Sequence, residues 1–97
     1  MSELKWSHTQ TNAGTSTKTF TNASPIMSLQ TEVVSGSPTY TVSYTINGND
    51  WVDITDMTAA TASAFATLAS PVSQVRTVVT GTGVVTLTGL RASYKLG

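Results

Sequence analysis

From residue 38 to residue 54 the chain alternates large apolar with small polar side chains. Tyr40, Val42, Tyr44 and Ile46 fall at every second position, with Thr39, Thr41, Ser43 and Thr45 between them. A period of two is that of a half-buried β-strand, which places the large groups on one face and the hydroxyls on the other. Asn47-Gly48-Asn49-Asp50 follows, residue types that tolerate the positive φ of tight turns, and Trp51-Val52-Asp53-Ile54 resumes an apolar alternation. The stretch predicts a β-hairpin.

The rest of the chain reads in the same terms. Residues 1–22 are polar and threonine-rich, with Trp6 and Phe20 as isolated aromatics, and predict an extended arm with a short strand over 16–21. Residues 26–34 predict a strand with Met27, Leu29, Thr31 and Val33 on its core side, ended by the turn residues Ser35-Gly36-Ser37-Pro38. Over 56–70, alanines that favour a helix are mixed with threonines that do not, and the expectation is a loop followed by a short strand over 63–68. The β-branched run 74–80, the connection Gly81-Thr82-Gly83 and the run 84–90 predict a second hairpin, with residues 91–97 as an extension or tail. Six or seven short strands separated by turns imply an all-β fold, a small antiparallel β-sandwich of the Ig-like or jelly-roll-like kind. The expected organisation is an arm over 1–22 and a sandwich domain over 23–97, with Trp51, Tyr44, Phe65 and the valines of the last hairpin in the core.

Composition narrows the chemistry. Charged residues are 10% of the chain, against about 25% in an average soluble domain, and the five basic and five acidic residues cancel. A net charge of zero gives little repulsion between copies, so the protein is expected to associate. Lys5, Lys18, Arg76, Arg91 and Lys95 nowhere cluster in sequence, which argues against a nucleic-acid partner. No apolar run approaches the roughly 20 residues that span a bilayer, so no membrane partner is expected. Cysteine is absent and His8 is the single histidine, placed in the polar arm and read as a surface residue. That leaves neither a catalytic triad nor a nitrogen and sulfur ligand set for zinc. Asp50, Asp53 and Asp56, beside Asn47 and Asn49, offer oxygen ligands in the manner of a calcium site, but their ordinary reading is a polar turn and strand edge. No enzyme, cofactor or metal is expected. Trp6 reads first as an anchor on its own domain and second as an insertion into a neighbouring subunit, since aromatics are favoured in interface cores. Trp6, Lys18, Phe20 and Tyr94 are the candidate contacts to a partner or another subunit.

The run Ser43-Tyr44-Thr45-Ile46-Asn47-Gly48-Asn49-Asp50-Trp51, with Val75-Arg76-Thr77-Val78 and Gly81-Thr82-Gly83-Val84-Val85-Thr86-Leu87 after it, resembles small β-sandwich virion proteins of tailed bacteriophages. The resemblance covers residues 26–90. It implies a non-enzymatic virion structural protein, a decoration or auxiliary protein bound to the surface of the assembled head. The implied partners are the major capsid protein or another virion protein and further copies of the chain, and the implied location is the phage particle surface after synthesis in the host cytoplasm. The alternative is a small carbohydrate-binding or receptor-binding module of a phage fibre or tail, for which Trp6, Tyr40, Tyr44, Trp51 and Tyr94 would be the aromatic platforms.

Overall fold

A computed structural model describes residues 5–20, 27–68 and 72–91. Its strands are β1 (Lys5–Thr11), β2 (Gly14–Thr19), β3 (Met27–Gly36), β4 (Thr39–Thr45), β5 (Val52–Asp53), β6 (Phe65–Leu68), β7 (Gln74–Thr80) and β8 (Gly83–Arg91), with one 3-10 turn at Thr55–Met57. They form two four-stranded antiparallel sheets, one in the order β1-β8-β3-β6 and the other β2-β7-β4-β5. Eight strands divided in this way between two packed sheets make a jelly-roll sandwich.

Three two-residue turns carry the chain from one sheet to the other, joining β1 to β2, β3 to β4 and β7 to β8. They clasp one another at one end of the molecule. The Asn12 amide donates to the Gly83 carbonyl at 2.6 Å, the Gly83 amide donates to Asn12 Oδ1 at 3.2 Å, and the Ser37 amide donates to the Thr82 carbonyl at 3.1 Å. A Cβ on Gly83 would collide with the Ser35 carbonyl and the Pro38 ring, so the clasp closes only over glycine. The expected hairpin through Gly81-Thr82-Gly83 is therefore a corner: β7 and β8 lie in different sheets and do not pair. Period-two alternation is the same whether the returning strand lies beside the first or across the core from it. Here the crossing lets Val75, Thr77 and Val79 of β7 oppose Val85 and Leu87 of β8 in the interior.

The stretch expected as an arm is paired. Lys5–Thr11 lies along β8 from Lys5↔Leu90 to Thr11↔Val84, and Gly14–Thr19 along β7 from Gly14↔Val79 to Thr19↔Gln74. Each sheet thus takes one edge strand from this stretch, and the boundary expected at residues 22 and 23 lies outside the described residues. Polar composition misled because a threonine-rich strand needs only one buried face and one partner.

The core also differs from expectation. Met27, Leu29, Tyr40, Val42, Val75, Val79, Val85 and Leu87 are buried, as the alternation in β3, the first half of β4 and the last two strands implies, and Met57 of the 3-10 turn joins them. Trp51 and Tyr44 are half-buried, whereas Phe65 is 61% exposed and Ile46, just past the end of β4, is 63% exposed. On β6 the small Ala66 and the Leu68 side chain take the inner positions, so Phe65 is left on the outside.

Candidate functional site

At the β1/β2 side the sandwich closes with aromatic and polar groups. Trp6, His8 and Gln10 share the inward phase of β1, and Ser16 and Lys18 that of β2. Trp6 lies on Gly89, its cross-strand partner, where a Cβ would run into the indole ring. Its ring also meets Phe20 edge-on, with centroids 5.3 Å apart, and the ammonium of Lys18 and the guanidinium of Arg91 lie 5.9 and 5.4 Å from the Phe20 centroid. The structure therefore brings together three of the four sequence-predicted contacts, Trp6, Lys18 and Phe20; Tyr94 lies outside the described residues. Trp6 packs against the core of its own sandwich.

His8 is not the surface residue expected. Its Nε2 lies 3.0 Å from the hydroxyl of the buried Thr77, 69 positions away in the chain, and its Nδ1 is buried without a partner, as is the indole Nε1 of Trp6. Burial, and after it the nearby Lys18 charge, hold the His8 pKa below its ordinary value. The imidazole stays neutral at neutral pH, and among the described residues no carboxylate is placed to orient it as a base. What this region can do is fasten two edge strands together.

On the outer face of the second sheet, Arg76 of β7 sits above Trp51 with Cζ 4.1 Å from the ring centroid, and the Ser43 hydroxyl donates to Asp53 Oδ1 beside it. The polar turn is held by Asn47, whose Oδ1 accepts the amides of Asn49 and Asp50 and whose Nδ2 donates to Asp50 Oδ2 at 2.9 Å. Asn47 and Asp50 thus bond to each other instead of converging on an ion. Among the described residues no three acidic, histidine or cysteine side chains are grouped to hold a metal.

The outer face of the first sheet carries the feature that sequence reasoning missed. Leu90 pairs with Ser28, Phe65 pairs with Gln30, and Gln30 pairs with Thr88, so the two large apolar groups stand across a shallow groove of about 280 Å³ lined also by Lys5. Leu90 is 56% exposed. The signal for both was present as phase: Phe65 alternates with Ala64 and Ala66, and Leu90 is out of step with Val85 and Leu87. Residue size had outweighed it.

No protein-family model matches this sequence, and no curated protein is similar to it. Among solved structures, one described as Bacillus endospore appendages, a novel family of disulfide-linked pili, superposes with a TM-score of 0.56 and 15% identity, covering 92% of this chain and 86% of that one. At that identity the likeness is one of fold.

Proposed function

We propose that this chain is a non-enzymatic structural subunit that docks in many copies on a repeated surface, as a decoration protein on the head of a tailed phage. The observation that carries the reading is the exposed Phe65–Leu90 pair, two large apolar side chains beside a groove on a sheet face that also carries hydroxyls, amides and the charged Lys5 and Glu32. Exposed apolar groups gathered in one place mark an interaction surface, and a modest patch repeated over many sites gains from multivalency. The phage resemblance of residues 26–90 supplies the surface: the major capsid protein or another virion protein. Removing the first 15 residues is not a clean test, because it deletes β1. Co-sedimentation of the purified protein with capsids that lack it is expected to saturate at a fixed copy number. Phe65→Ser with Leu90→Ser should weaken binding while leaving the melting temperature nearly unchanged. Absence of saturable binding by the unaltered protein rejects the capsid reading.

A second reading, a subunit of a filamentous appendage, is supported by the fold likeness to the Bacillus pili. With no cysteine in the chain, disulfide linkage between copies is unavailable, and such a filament would be held by non-covalent contacts alone. Absence of filaments in electron micrographs of the concentrated protein without capsids rejects this second reading.

A further inference from the structure

The ten charges cancel over the whole chain, yet the fold sorts them. Among the described residues every lysine and arginine, Lys5, Lys18, Arg76 and Arg91, lies on β1, β2, β7 or β8. Every described carboxylate, Glu32, Asp50, Asp53 and Asp56, lies on β3, on β5, or in the turns flanking β5. Because the sheets run β1-β8-β3-β6 and β2-β7-β4-β5, the first group occupies one lateral half of the sandwich and the second the other half. Glu3 and Lys95 lie outside the described residues. Among the described residues the charge is therefore polarised from side to side.

We infer that the acidic side is a docking surface for the basic side of a second copy of the same chain. The acidic side has more than charge to offer. Tyr44, Ile46 and Val52 line a groove of about 240 Å³ whose polar rim includes Asn47 and Asp50, and Ile46 and Val52 are 63% and 50% exposed. On the basic side Lys5 is exposed at the start of an edge strand, and Thr17 stands beside Arg76 on the other. Opposite potentials steer encounters and suppress like-to-like contacts, so the pairing is head-to-tail instead of two-fold symmetric. A head-to-tail contact repeats from copy to copy until it closes into a ring or runs on as a filament. This goes beyond the capsid reading and is tested with the protein alone, so either can fail without the other.

The experiment is sedimentation velocity over a concentration series. The unaltered protein should self-associate at low salt, with association weakened roughly tenfold or more between about 20 mM and about 0.5 M salt. Lys5→Glu with Thr17→Glu cuts the basic side from four positive charges to a net of one, and Asp50→Lys with Asp56→Lys brings the acidic side from four negative charges to zero; all four positions are exposed. Each double variant should be monomeric alone, and an equimolar mixture of the two should associate. A wild-type protein that stays monomeric at low salt, association indifferent to salt, or a folded pair of variants that fails to associate when mixed overturns the proposal. Should a variant not fold, the wild-type salt series decides by itself.

Discussion

The two open sides of the sandwich are closed by different means. On the β5/β6 side, the chain from Ile54 to Ala64 wraps the edge of β4: Tyr40 and Ala60 exchange backbone hydrogen bonds, the Ile54 amide donates to the Val42 carbonyl, and Met57 is driven fully into the core. Below it the Tyr40 hydroxyl donates to the Ala62 carbonyl at 2.6 Å, and Thr31 Oγ1 contacts the Tyr40 hydroxyl while accepting the Ala64 amide. On the β1/β2 side there is no wrapping loop among the described residues. Apart from the β1–β2 turn, side chains bridge the sheets there, through His8 to Thr77 and Gln10 to Ser16, and two buried nitrogens, Trp6 Nε1 and His8 Nδ1, have no partner. A buried polar group left unpaired costs about 1 to 3 kcal/mol, so the contrast marks the β1/β2 side as the first to open.

Four measurements break or sharpen this contrast. The largest effect is expected on the wrapped side, where Met57→Ala empties a fully buried site and should cost about 2 to 5 kcal/mol in denaturant unfolding. A loss well under that range would mean that the loop is not part of the cooperative core. Next comes Gly89→Ala on the β1/β2 side. Its new methyl meets the Trp6 indole, an overpacking expected to cost about 1 to 3 kcal/mol. In a double-mutant cycle with Trp6→Ala the cost should shrink, since the clash is then relieved; strict additivity would show that Trp6 does not hold β1 to β8.

The smallest effect is a slope with pH. His8 has a lowered pKa in the folded protein, so the unfolded chain binds the proton first as pH falls. Stability from this group is therefore fully present above its ordinary pKa of about 6.5 and declines as pH drops from there toward the lower folded value. Melting temperatures between pH 7 and pH 5 should fall more for the wild-type protein than for His8→Gln, and parallel curves would remove His8 from the interior. Hydrogen exchange should also show β1 and β2 opening before β4.

Much of this architecture was legible in advance because alternation is a local property. Met27, Leu29 and Thr31 in β3, Tyr40 and Val42 in β4 and Val75 and Val79 of β7 are buried in the phase that the sequence shows. The candidate contacts were legible only in part: Trp6, Lys18 and Phe20 do come together, but as the closure of their own sandwich. Phe65, Trp51 and Leu90 were misplaced or overlooked, since size suggests burial and only the positions of neighbouring strands say whether an inner site is already filled.

The sequence by itself determined that this is an all-β chain with turns at set places, because period-two patterning and Gly, Asn and Pro act within a few residues of one another. Tertiary structure alone decided the rest. Whether a turn makes a hairpin or a corner, whether a threonine-rich segment is an arm or an edge strand, and on which side the eight described charges fall all depend on strand order. That order is settled by contacts between residues such as His8 and Thr77 that are far apart along the chain, and no local pattern encodes them.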